Sequence, residues 1–332
     1  MFRFILLYLL FFSFVSCSSK EPISPEKSIT HSNQKLFEAE DFFILSALRA
    51  EQIGDFNSAI ELYSKLYSKT KRKEYLYRGL KSKIYAGESE TVLESVESLL
   101  KTDNENIKLR EIKNIALYSL AKIYNQKKDI DGILTVYLEL YEMSQNREVA
   151  NKIVQIYSYK QDYTKLATFL ERSKIDDKIL LELYTTSQNY TKAYMLAHNI
   201  YLETGDLNYL GQSAIYQYES ATDKNDKEML ESIVEKLTDV VKEKQPSLYL
   251  NYLGYLLIDH NIDVPKGMEY VKSALKLEPD SAFYLDSLAW GYYRLGNCQD
   301  AKEIMNQVVK LEGADNKEVI LHINSIDRCL KN

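Results

Sequence analysis

The chain has 332 residues, with 42 Lys and Arg against 48 Asp and Glu, a formal charge of −6. This mild acidity argues against a nucleic-acid surface, three cysteines are too few for a disulfide-dense scaffold, and four scattered histidines argue against a histidine-rich metal site. Hydrophobic residues at 45% are enough to build a core, while 11 Gly and 5 Pro are few for a β-rich or loop-rich protein.

The N-terminus reads MFRFILLYLLFFSFVSC. Arg3 supplies a positive charge, and Phe4 to Phe12 form an unbroken apolar run that suits a signal core and is short for a membrane-spanning helix. Val15 and Ser16 then lead into Cys17. This arrangement resembles a bacterial lipoprotein signal peptide, with Phe14 where that family usually has Leu. The resemblance implies a signal segment over 1–16, cleavage before Cys17 and acylation of Cys17, whose thiol is the nucleophile that takes a diacylglyceryl group. Ser18 after the cysteine implies sorting to the outer membrane. The same run also admits an ordinary secretory signal or a retained anchor. Residues 17–35, rich in Ser, Lys, Glu and Pro, show no periodic apolar face and read as a flexible tether.

From Leu36 onward Ile, Leu, Tyr and Ala recur at three- and four-residue spacing, and no Pro interrupts the chain between Pro25 and Pro246. Gly54, Gly87, Gly205 and Gly296 fall at punctuation points. Ala282 to Gly313 holds Leu285, Leu288, Ala289, Tyr292, Gly296, Ala301, Met305 and Val308; Leu248 to Pro279 holds Leu250, Leu253, Gly254, Leu257, Gly267, Tyr270 and Ala274. Phe43, Ala47, Ala50, Gly54, Phe56, Ala59 and Tyr63 follow the same order. These stretches resemble the tetratricopeptide repeat (TPR), a helix–turn–helix of about 34 residues. Between them KKDIDGI, KQDYTKL and SQNYTKA echo GDFNSAI and GNCQDAK. The resemblance implies an all-α fold of seven or eight stacked helix pairs over residues 36–314, wound as a right-handed superhelical solenoid. Breaks are expected near 102–106 and 220–227, with a helix over Asp226–Lys244. A C-terminal capping helix is expected over 315–332, with Val319, Ile323, Ile326 and Leu330 on its packed face and His322 on its surface.

Counting by repeats places Cys298 and Cys329 at the same end of adjacent layers, which leaves open a disulfide or two buried thiols. No HExxH, GxSxG, P-loop or GxGxxG occurs. Neither cofactor nor metal is expected. Lys69–Lys73 (KTKRK) reads as the exposed end of a helix, with contact to acidic lipid or a partner as the other reading.

In the TPR family, set positions of each first helix line a concave groove. Carried onto this chain they are Leu248, Asn251, Tyr255, Ile258 and Asp259, then Phe283, Asp286, Trp290, Tyr293 and Arg294. Trp290, the only Trp, is either a contact residue or packing between repeats. The resemblance thus implies a non-enzymatic scaffold, lipid-anchored in the bacterial envelope and facing the periplasm, that binds envelope proteins or peptides and no nucleic acid. A cell-wall or peptide hydrolase and a purely structural spacer are the alternatives.

Overall fold

The computed structural model describes residues 35–331. The signal segment 1–16, Cys17 and all but the last residue of the 17–35 tether lie outside the described residues. Those residues form seventeen α-helices and no strand. They divide into two compact units, 35–123 and 124–331.

In the first unit α1 (Glu40–Ile53) and α2 (Phe56–Thr70) form one antiparallel pair, α3 (Lys73–Tyr85) and α4 (Ser89–Leu100) the next, and α5 (Ile107–Lys127) follows. Small residues decide where helices touch: Ala47, Ala50 and Ala59 are buried at the α1–α2 contact with Tyr63 and Leu66. Leu80 and Ile84 of α3, Val92 and Val96 of α4, and Leu109, Ile112 and Ala116 of α5 share a second cluster. The polar run 102–106 is therefore only a loop, because the helices on both sides of it share one core. The division between units falls inside α5 instead.

The second unit continues with α6 (Ile130–Ser144), α7 (Arg147–Tyr159), α8 (Tyr163–Ser173), α9 (Asp177–Thr186), α10 (Tyr190–Thr204), α11 (Leu207–Ser220) and α12 (Lys227–Glu243). Then come α13 (Ser247–Asp259), α14 (Val264–Leu277), α15 (Ala282–Arg294), α16 (Cys298–Glu312) and α17 (Lys317–Cys329). From α6 to α17 each helix packs on the next, and α15 also packs on α13 and α17. Across the run 220–227, Leu210, Ala214 and Tyr218 of α11 pack with Ile233 and Leu237 of α12, so this run too joins helices of a shared core. The architecture is all-α, made of TPR-type helix–turn–helix pairs stacked within each unit.

Four of the turns inside the pairs share one construction. A residue with positive φ is followed by an Asp or Asn that caps the second helix. Gly54 (φ 78°) precedes Asp55, which accepts from Ser58 N; Lys128 (58°) precedes Asp129; Gln161 (55°) precedes Asp162; Gln188 (56°) precedes Asn189. A β-carbon in the left-handed region costs roughly 1–2 kcal/mol. The side-chain cap recovers part of this by satisfying a first-turn amide. Central repeats that lack the marker glycine thus keep the same turn.

Helices α13 and α14 approach closely at two glycines. A β-carbon on Gly254 would stand 2.6 Å from the Gly267 carbonyl oxygen and 2.7 Å from Val271 Cγ2. Gly254→Ala should therefore cost about 1–3 kcal/mol or more through forced separation of the pair. Urea unfolding checks this; an unchanged midpoint would show that the two helices can part freely.

Candidate functional site

The first unit presents an open depression of about 820 Å³. It is lined by Glu51 of α1, Phe56 of α2, Lys108 of α5 and, from α3, Glu74, Tyr77, Arg78, Lys81 and Tyr85. The α3 helix begins at Lys73, so Glu74, Tyr77, Lys81 and Tyr85 are its second, fifth, ninth and thirteenth residues. These are the offsets that the expected groove residues occupy on α13 and α15. The sequence reading applied them only to α13 and α15, where the motif was plain, and so missed α3; the same count would have found it.

Charge in this groove is alternating. Arg78 Nη1 donates to Glu51 Oε2 at 2.9 Å, and Lys81 Nζ donates to Glu111 Oε1 at 3.1 Å. Lys108 reaches the other oxygen of Glu111 at 3.2 Å. Below Arg78 the Tyr63 hydroxyl is pushed up to about 12, by burial and then by the Glu51 carboxylate. The ring of Tyr85 lies 5.3 Å from that of Phe56, yet Tyr85 is 60% exposed. An aromatic ledge thus stands beside three paired cations, able to take apolar and hydrogen-bonding groups together.

In the second unit a smaller depression is lined by Lys178, Leu181, Glu182 and Thr185 of α9 with Gln212 and Tyr216 of α11. Again Lys178, Leu181 and Thr185 are the second, fifth and ninth residues of their helix.

The ten residues expected to line an open groove on α13 and α15 are placed differently from one another. Leu248 and Phe283 are exposed, while Tyr255, Asp259, Tyr293 and Arg294 are half-buried. Asn251, Ile258, Asp286 and Trp290 are buried. For Asp286 and Trp290 the cause is a further helix. His322 of α17 is 1% exposed, not on the surface as expected, and its Nδ1 lies 2.9 Å from Asp286 Oδ1. Its ring stacks on Trp290 at 4.1 Å, and Trp290 stacks in turn on Tyr293 at 4.6 Å. Trp290 Nε1 donates to Asp259 Oδ1 at 3.0 Å, and Arg294 Nη1 donates to the Asp259 carbonyl at 2.7 Å. Tyr255 donates its hydroxyl hydrogen to Glu318 Oε1 of α17 at 2.5 Å. On α17 itself Val319 and Ile326 are buried and Ile323 half-buried, whereas Leu330 lies past the helix end and is exposed.

Further along the same surface the Tyr218 hydroxyl sits 3.0 Å from His260 Nε2. Burial, then the Asp259, Glu219 and Glu318 carboxylates, push this hydroxyl up to about 12. Burial also holds His260 below the usual imidazole value, favouring the neutral ring. This end of the unit is therefore a closed polar and aromatic network. Among the described residues no group of three or more His, Cys, Asp or Glu could hold a metal ion. Nor is any described helix long and apolar enough to cross a membrane.

The Sγ atoms of Cys298, at the start of α16, and Cys329, at the end of α17, stand at bonding distance with Cα atoms 5.8 Å apart.

Since Trp290 is only 8% exposed and packs with Ile258, Met268 and Leu288, its truncation should act on stability. Trp290→Ala should cost about 3–5 kcal/mol, read as a lower urea midpoint. A variant with unaltered stability would return Trp290 to the role of a contact residue.

No family model matches the chain. A curated TPR repeat-containing protein of Pseudomonas aeruginosa is 33% identical over 84 residues, which is 25% of this chain and 14% of that protein's length. Among solved structures, a chain of the APC/C hetero-tetramer Cut9–Hcn1 matches at 12% identity with a TM-score of 0.42, covering 87% of this chain and 56% of that one. The C-terminal part of a TPR repeat-containing protein from Cytophaga hutchinsonii matches at 16% identity with a TM-score of 0.39, covering 74% of this chain and 99% of that one. These overlaps are partial, and the architecture rests on this chain's own helix pairs.

Proposed function

We propose that the protein is a non-enzymatic scaffold that binds protein or peptide segments through its first-helix faces. The observation that carries this reading is the groove of the first unit. There exposed Tyr85, with half-buried Phe56 and Tyr77, stands beside the paired Arg78, Lys81 and Lys108. Rigid aromatic rings lose little rotamer freedom on binding, and Tyr and Arg recur where interface energy concentrates. A segment with an apolar or aromatic side chain flanked by carboxylates fits best: the ring would lie on the Phe56–Tyr85 ledge, and the acids would compete for the lysines. We further propose lipidation at Cys17 and a place in the bacterial envelope, at the outer membrane facing the periplasm; the apolar run ending in Cys17 supports both. The partners would then be envelope proteins or their peptides.

Cys298 and Cys329 fit the same compartment, since a disulfide persists where the surroundings are oxidising. Closing 31 residues, it would contribute roughly 3–4 kcal/mol by restricting the unfolded chain and would pin α17 over α16. The intact mass of the unfolded envelope-derived protein should rise by two hydrogens on reduction; an unchanged mass rejects the bond.

The groove itself is tested with Tyr85→Ala and Lys81→Glu. Both side chains serve little core packing, so helicity and urea midpoint should stay near those of the unaltered chain. Capture of envelope partners by crosslinking should fall about tenfold or more, as for loss of a contact that dominates an interface. Undiminished capture by both variants would refute this groove as the binding face.

A further inference from the structure

Helix α1 packs inward through Ala47 and Ala50, yet its opposite side carries Phe42 and Leu45, each 67% exposed. Contacts link this to half-buried Phe43 and Phe37, which also pack against the α1–α2 core. Phe42 meets Phe43 edge-on at 5.8 Å, and Phe43 meets Phe37 at 5.9 Å. Leu36, next to Phe37, is also exposed. Cations border these rings from α2: Lys65 Nζ stands 4.2 Å from the Phe43 ring centre, and Lys69 Nζ 5.9 Å from that of Phe37. Lys71 follows at the turn into α3, exposed, while Lys73 beside it is paired with Asp103 at 3.0 Å. Nearby carboxylates are partly spent. Glu40 is buried against Arg72 Nη1 at 2.8 Å, and Asp41 pairs with Lys35; Glu38 and Glu61 remain on the surface. In a chain of net charge −6 this edge is locally basic and aromatic.

The geometry points to the Leu36–Leu45 ledge with Lys65 and Lys69 as a docking surface for an anionic lipid bilayer. Aromatic and branched side chains enter the boundary between headgroups and acyl chains, and lysine ammoniums on long stems meet the phosphates. A contiguous exposed apolar patch of this kind calls for a partner, and charge selects which one. A second copy docking through the same face would set two lysine-bordered patches of like sign against one another, which opposes such a contact. A negatively charged bilayer has the complementary sign. Position agrees as well. Cys17 precedes Lys35 by eighteen residues, a reach of at most roughly 60 Å for an extended chain, so an anchor there would hold the ledge near the bilayer. The inference draws its membrane from the proposed envelope location, while the docking itself requires only the ledge. It would lay α1 on the lipid and fix how the first unit is held at the surface.

The test places the full chain, carrying Phe42→Trp, on vesicles of equal phosphatidylglycerol and phosphatidylcholine with brominated acyl chains. The added indole emission should be quenched, beyond the small effect on the unsubstituted chain, and phosphatidylcholine alone should quench it far less. Lys65→Ala and Lys69→Ala should each weaken the surface equilibrium about fivefold. Leu45→Trp supplies a second reporter, and the helical circular dichroism band checks that each variant is folded. No added quenching at either position overturns the proposal. So does a reporter that bromine never quenches but that becomes shielded from acrylamide as protein concentration rises, because a second copy then covers α1. Partner capture is measured on the same proteins. Lost capture with intact quenching sinks the groove reading alone, and lost quenching with intact capture sinks the ledge alone.

Discussion

A helix pair in this chain has apolar side chains on more surface than its own two helices can cover, and this constraint governs everything else. Ile84, Val96 and Ile112 become fully dry only where three successive helices meet. Leu237, Leu253 and Ala274 do the same further along the chain. Burial of this kind adds stability neighbour by neighbour. It also demands that some crossings be close, which is why Ala59, Ala301 and the Gly254–Gly267 contact sit where two helix axes draw together. Loops then need only reverse the chain, and polar runs of five or eight residues do not interrupt the core.

The same constraint explains the abundance of Tyr. Gaps between stacked helices are wide, and a phenol ring fills them while its hydroxyl still needs a partner. Tyr75 finds Glu40, Tyr184 finds Glu171, Tyr252 finds Glu219, and Tyr249 finds both the carbonyl and the side chain of Asn208. Each of these bonds joins residues on different helices, so the fillers also tie one helix to another. Desolvation of the rings and the neighbouring carboxylates both favour the protonated phenol, so these bonds persist across the physiological pH range.

A groove position is useful to a partner only while no later helix covers it. On α3 the offsets leave Tyr85 open; on α15 the same offsets bury Trp290 and Asp286, because α17 lays His322 between them. The most recognisable repeat in the sequence is thus the one whose groove is most enclosed by its own chain. Strong motif agreement reports tight packing, and tight packing competes with availability.

The sequence by itself determined the class: helical spacing from Leu36 onward, pairs punctuated by Gly or by a polar residue before Asp or Asn, and a final amphipathic helix. These features were legible because helix period, capping and left-handed turns are local, acting over one to four residues. The glycine-free turns at Lys128, Gln161 and Gln188 were fainter, since Lys and Gln only rarely take positive φ and carry no such signature. Tertiary structure alone decided which faces stay open, where the chain divides within α5, and that His322 is buried while Phe42 is not. Those outcomes depend on which helix lies against which, a relation between residues dozens of positions apart that no local pattern encodes.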